Sequence, residues 1–134
     1  AGFLGSPPMN FLTLDVQADG DALWLVGSGG RFPLPREWGD AVRSSRTARV
    51  VLGVRPEHLA LNLRPDEQAI AAEVYLIEDL GNELLVDVRV NGQQMVARLP
   101  AGPAPDLGDR VWLSFALEDV HLFDPATEQH LIRQ

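Results

Sequence analysis

Cysteine is absent from this 134-residue chain. That excludes a disulfide framework, a thiolate nucleophile and Cys-ligated zinc or iron–sulfur centres. Lysine is absent as well, and all eleven basic residues are arginines. A P-loop, a kinase strand lysine, a Schiff base or a pyridoxal phosphate site each needs a lysine amine, so none of these can be built from this chain alone. A codon bias toward arginine produces the same composition, so the bias by itself assigns no function. Positive charge is also short, with 19 acidic residues against 11 basic ones and a net charge of −8. This argues against a nucleic-acid partner held through its phosphates. Nor is there an apolar run long enough for a membrane-spanning helix.

What is present is a globular composition, 46% hydrophobic and 22% charged, in a length that can bury a core without staples. The N-terminus, Ala1-Gly2-Phe3-Leu4-Gly5-Ser6-Pro7-Pro8-Met9-Asn10-Phe11, has neither a basic leader nor an apolar stretch and does not read as a signal peptide or anchor. Its paired prolines make a stiff extended connector, and the missing initiator Met suggests a cut end. From Phe11 onward, short runs of β-branched, aromatic and Leu residues alternate with polar ones, which is the pattern of half-buried strands. Ten strands are expected, over residues 11–17, 22–26, 31–34, 50–54, 58–63, 71–78, 84–90, 94–99, 110–116 and 120–123. Asp19-Gly20, Asn91-Gly92 and Gly81-Asn82 provide hairpin turns. One short helix fits residues 35–46, with Pro35 at its start and Trp38, Ala41 and Val42 on one face. The fold class is therefore all-β, closing into OB-like barrels of short antiparallel strands.

Few constellations suggest chemistry. Val26-Gly27-Ser28-Gly29-Gly30-Arg31 is glycine-rich but lacks the lysine and following helix of a phosphate loop, and reads as a plain connection between strands. The pairs Glu78-Asp79, Glu118-Asp119 and Asp106 with Asp109 read as solvated strand ends, because adjacent strand residues face opposite ways. Asp19-Gly20-Asp21 lacks the further oxygen ligands of a calcium loop. His58, His121 and His130 match no metal-ligand spacing. No Gly-x-Ser-x-Gly elbow appears. Gly53-Val54-Arg55-Pro56-Glu57-His58 differs in kind: an apolar strand runs into a Gly, then Arg55 and Glu57 bracket a Pro that fixes a bend. Arg55 can hold a barrel corner through carbonyls or a carboxylate, or meet a partner.

These residues resemble a known family, the C-terminal regulatory region of ATPase subunits of sugar ABC importers of the maltose and glycerol-3-phosphate type. Phe3 to Leu12 is similar to the segment leaving the nucleotide-binding domain, and Gly53 to His58 resembles the family's Gly-x-Arg-Pro-Glu-His corner. Val-Tyr-Leu-Ile-Glu-Asp-Leu-Gly-Asn-Glu at 74–83 resembles its strand ending in Leu-Gly-x-Glu. Gly108-Asp109 and His121-Leu122-Phe123-Asp124 follow in the same order. Residues 31–49, with Trp38-Gly39 and an Arg- and Ser-rich stretch, depart from the pattern.

The resemblance implies a non-catalytic TOBE/OB regulatory domain over residues 11–134, with 1–10 as connector from an ATPase domain that carries the ATP and Mg sites. This piece itself holds no cofactor and no metal. The resemblance gives Gly53, Arg55, Pro56 and Glu57 to a corner shaping the dimer-facing region, and Gly5, Ser6, Pro7, Met9, Asn10 and Phe11 to the connector. The implied partners are a second copy, the ATPase domain, through it the transporter's membrane subunits, and in some relatives a cytoplasmic regulatory protein. The implied location is the cytoplasmic face of the membrane. The alternative is a small-oxyanion barrel like the related molybdate-binding domains.

Overall fold

Residues 10–27 form a hairpin. β1 (Asn10–Asp19) pairs with β2 (Ala22–Gly27) from Asp15↔Val26 to Asp19↔Ala22. The turn residues are Gly20 and Asp21, one position beyond the expected pair. Gly20 has φ 62°, which suits the first central position of a type II′ turn. The structure, a computed structural model, describes residues 9–27 and 30–132. β3 (Gly30–Pro33) continues the antiparallel pairing with β2. α1 (Arg36–Ser45) follows Pro35 as expected, buries Val42 and ends at Arg46, which adopts φ 56°. β4 (Arg49–Val54) pairs with the first half of β1.

A single 3₁₀ turn over Pro56–His58 leads into β5 (Ala60–Asn62). The strand expected at 58–63 is thus shortened from its front, because Pro56 commits the chain to a turn that still includes His58. β6 (Ile70–Asp79), β7 (Glu83–Val90) and β8 (Gln93–Pro100) form a meander, its second turn at Asn91-Gly92 as expected. β9 (Arg110–Ser114) returns beside β6 and β5. A 3₁₀ turn at Leu117–Asp119 precedes β10 (Val120–Phe123), and β11 (His130–Ile132) is the last element of the described residues.

Among the described residues the strands make two antiparallel sheets, ordered β11-β10-β4-β1-β2-β3 and β5-β9-β6-β7-β8. Alternation places one face of each sheet in a common core. β7 shows this most plainly, with Leu84, Val86, Val88 and Val90 buried, and they join Leu12, Leu14, Leu25, Leu52, Val54 and Leu122 of the first sheet. β11 is an eleventh strand beyond the ten expected. It is three residues long and is set up by a local turn, in which the Asp124 carboxylate accepts the N–H groups of Ala126 and Thr127 while the Asp124 N–H donates to Gln129 C=O.

The two sheets are stitched by side-chain amides. Ahead of Asp15, β1 has no paired strand among the described residues on the side away from β4. There the Gln93 side chain of β8 accepts from the Thr13 N–H at 2.8 Å and donates to the Thr13 C=O at 3.1 Å. Reciprocally, Asn10 donates to Val96 C=O and accepts from Val96 N–H, both at 2.8 Å. A primary amide carries one carbonyl and one NH₂, so each stands in for a missing strand residue on β8's open edge.

Glycines permit a second junction. A Cβ on Gly30 would lie 1.8 Å from the Ala69 carbonyl oxygen, so only Gly lets the start of β3 pass so close to the loop ahead of β6. The glycine-rich 26–31 stretch therefore owes part of its composition to backbone crowding. Ser28 and Gly29 lie outside the described residues.

Candidate functional site

The Gly53–His58 corner hands the chain from the first sheet to the second. β4 is buried from Val50 to Val54, and Arg55 remains extended at φ −75°, ψ 149°. Pro56, buried, then starts the turn, closed by His58 N–H to Arg55 C=O at 3.0 Å and Leu59 N–H to Pro56 C=O at 3.3 Å. Leu59 drops into the core. The motif's Gly has a separate reason. Gly53 lies on the outer face of the sheet, where a Cβ would sit 2.6 Å from Met9 Sδ and 3.1 Å from Phe123 Cε2. The missing side chain makes room for a small outer cluster of Met9, Phe11 and Phe123, the two rings meeting edge to face at 6.0 Å.

Of the expected connector residues, Met9, Asn10 and Phe11 are described, and Gly5, Ser6 and Pro7 lie outside the described residues. Asn10 and Phe11 belong to β1, so the strand begins one residue ahead of the expected boundary at 11. Glu57 is exposed on the turn. Arg55 forms no hydrogen bond or ion pair with any described residue, so among the described residues it clamps neither a carbonyl nor a carboxylate. The neighbouring carboxylate, Asp119, lies instead 3.8 Å from His58 Nδ1.

Two histidines that sequence spacing left apart come together beside this corner. His121 on β10 stands opposite Gly53, and His130 on β11 stands opposite Phe123. Their ring centroids are 5.7 Å apart, and His130 lies 4.4 Å from the Phe123 ring. His121 Nδ1 is buried without a hydrogen-bond partner. Burial lowers the His121 pKa from its ordinary value, and the nearby His130 and Arg55 lower it further. Nothing in a nine-residue separation advertises this. The signal was the Asp124 turn, which reverses the chain and sets β11 against β10.

Two acidic residues of the pairs serve turns. Asp79 accepts from the Gly81 N–H at 2.8 Å, and Asp109 accepts from the Asp106 N–H at 2.9 Å. Among the described residues no group of three His, Cys, Asp or Glu side chains is placed to hold a metal ion.

Two antiparallel sheets wrapped on one core, joined at a Gly-x-Arg-Pro-Glu-His corner, define an OB-type β module. The comparisons make this specific: the TOBE domain model matches residues 52–123, and the MalK OB fold domain model matches residues 5–59. The chain belongs to the TOBE domain family, and the corner lies where the two matches overlap. It is 33% identical to the ABC transporter ATP-binding protein YurJ of Bacillus subtilis (strain 168) over 134 residues, 96% of this chain and 36% of that protein. It is 35% identical to the sn-glycerol-3-phosphate import ATP-binding protein UgpC of Escherichia coli (strain K12), over 98% of this chain and 35% of UgpC. The chain thus spans about a third of the length of these relatives. Among solved structures, the cytoplasmic molybdate-binding protein ModG superposes with a TM-score of 0.51 at 16% identity, covering 87% of this chain and 95% of ModG's, which is a likeness of fold.

Proposed function

We propose that this chain is the non-catalytic regulatory and dimerisation module of an ABC importer ATPase subunit that energises uptake of a sugar, polyol or glycerol phosphate. The observation that carries the reading is the pair of matched domains over nearly the whole chain, in a fold whose relatives are ABC ATP-binding proteins. In this reading ATP and Mg bind in the ATPase domain of the parent subunit, which works with membrane subunits at the cytoplasmic face of the membrane. Gly5, Ser6, Pro7 and Met9 lead from that domain, and Gly53, Arg55, Pro56 and Glu57 shape the surface that meets a second copy. Supporting this role, half-buried Arg55 has no hydrogen bond or ion pair with any described residue, and Glu57 close by is exposed. A cytoplasmic regulator docks elsewhere on the same module.

Sedimentation equilibrium of the chain at rising concentration tests the reading. Reversible self-association weakened by Arg55→Ala is the expected result. A strict monomer up to millimolar concentration would overturn it.

A further inference from the structure

The chain has four asparagines, and the fold treats them differently. Asn10 is buried, with both ends of its amide bonded to Val96. The Asn62 NH₂ donates to Trp112 C=O and to Ser114 Oγ. Asn82 is exposed, but the backbone nitrogen after it belongs to Glu83 of β7, whose side chain crowds it. Asn91 differs from all three. It is exposed, its side chain has no hydrogen bond to a described residue, and Gly92 follows it. These two residues have φ 50° and 80°, a type I′ hairpin turn closed by the Val90↔Gln93 pair. The Gly92 N–H has no partner among the described residues, and a Cβ on Gly92 would meet nothing within 4 Å, so this nitrogen is unhindered. Asn91 and Gly92 also line a cavity of about 470 Å³ together with Arg89 and Arg110.

We infer that Asn91 is a deamidation site whose conversion loosens the join between the two sheets. The Gly92 nitrogen loses its proton to solvent and attacks Asn91 Cγ. A C–N bond forms, the Cγ–Nδ2 bond breaks, and the amide nitrogen leaves as ammonia with a proton taken from solvent. Water then opens the five-membered imide at either carbonyl, giving aspartate or isoaspartate, so one water is consumed and one ammonia released. The attack requires the turn to leave its left-handed geometry, which an exposed hairpin tip does at small cost. Either product puts a carboxylate where a neutral amide stood, beside the cavity lined by Arg89 and Arg110, whose charge favours it. Isoaspartate also adds a carbon to the backbone. A two-residue turn cannot absorb that carbon and keep the Val90↔Gln93 pairing. Gln93 comes next in the chain, and its amide holds both the N–H and the C=O of Thr13 on β1. A covalent change at the turn thus reaches the other sheet through one side chain. The site is complete within one chain and does not depend on the dimer reading.

The test holds the purified chain in warm, mildly alkaline buffer and follows ammonia release, with proteolytic peptide mapping to locate the change and enzymatic methylation to detect isoaspartate. The expected result is conversion of Asn91 well ahead of Asn10, Asn62 and Asn82, with isoaspartate among the products. Asn91→Gly, which keeps a turn tolerant of positive φ, should abolish the early ammonia release. The isoaspartyl form is then separated from the parent by ion exchange, and its native-state amide exchange is measured. Its Thr13 N–H should exchange at least about tenfold faster than the parent's while Leu52 and Val86 remain protected. Freshly prepared Asn91→Asp carries the charge without the extra backbone carbon, and its Thr13 exchange should stay within about twofold of the parent's. Absent ammonia release, release undiminished in Asn91→Gly, or conversion led by another asparagine would overturn the site. Unchanged Thr13 exchange in the isoaspartyl form, or equal acceleration in Asn91→Asp, would overturn its link to the sheets.

Discussion

Asn10 is the one buried polar side chain among the described residues, and its amide closes the gap between β1 and the open edge of β8. Asn10→Ala deletes two hydrogen bonds of 2.8 Å and strands the Val96 N–H and C=O on an edge that no other strand covers. A net loss of about 1 kcal/mol per bond, plus desolvation of the two orphaned groups, gives a destabilisation of about 2–4 kcal/mol. That is a large part of the ~5–15 kcal/mol that holds such a domain together. With a urea m-value of about 1.5 kcal/mol/M, the midpoint should fall by roughly 1.3–2.7 M. Fluorescence from Trp24, Trp38 and Trp112 reports the transition. Asn10→Asp sharpens the test. It keeps an acceptor for the Val96 N–H but turns a carboxylate toward the Val96 C=O, which favours the protonated acid in the folded state and raises the new group's pKa. The contribution of the protonated form is then fully present below the unfolded carboxyl pKa of about 3.9 and is lost as pH rises through the raised folded value. The Asp variant should therefore approach the parent at low pH and fall furthest behind at neutral pH. An Asn10→Ala midpoint within about 0.3 M of the parent, or an Asn10→Asp deficit that is the same at every pH, would refute the claim that this amide stitches the sheets.

Gly30→Ala should cost about 3 kcal/mol or more, since the added carbon meets a backbone oxygen rather than a movable side chain, and a midpoint within error of the parent would contradict the close approach. Arg46→Gly should stabilise by about 0.5–1 kcal/mol in thermal unfolding, because Arg46 is exposed and ends α1 in the left-handed region. His121 has a lowered pKa in the fold, so the unfolded chain binds the proton more readily. Stability is unaffected by this group well above its ordinary value of 6.5 and falls as pH drops through 6.5 toward the lower folded value. His121→Gln should flatten the loss of stability between about pH 7 and 5, and an unchanged slope in urea titrations would exclude His121 as its source.

The alternation of β7 and the Asn91-Gly92 turn were legible because their causes are local: a strand's period is two, and the turn's backbone suits these residues. α1 was legible from Pro35 and its apolar positions for the same reason. The corner was visible as a Gly, an Arg and a Pro, but not the reason for the Gly, which is the space taken by Met9 and Phe123 on the sheet's outer face. Asn10 read as the end of a connector because its partner, Val96, is 86 residues away. β11 escaped notice because three residues carry too little periodicity, and with it went the pairing of His121 with His130.

Three consecutive residues tie the start of the described chain to both sheets. Met9 lies over Gly53 of β4, Asn10 bonds to β8, and Phe11 meets Phe123 of β10. A force arriving at residue 9 is therefore shared among β4, β8 and β10 at once, and the strand cannot peel from one sheet without breaking contacts to the other. Local opening of such a segment should require nearly as much free energy as global unfolding. Native-state amide exchange tests this at one atom. The Thr13 N–H donates to the Gln93 side chain and not to a neighbouring strand's backbone. In the parent chain it should exchange only with the slowest core amides. In Gln93→Ala it should exchange at least about a hundredfold faster while Leu52 and Val86 remain protected, since losing one partly buried bond and its acceptor lowers the local opening energy by about 3 kcal/mol. Fast Thr13 exchange in the parent would mean that β1 frays from β8 in solution, and the N-terminal segment would then be a hinge instead of a rigid coupling.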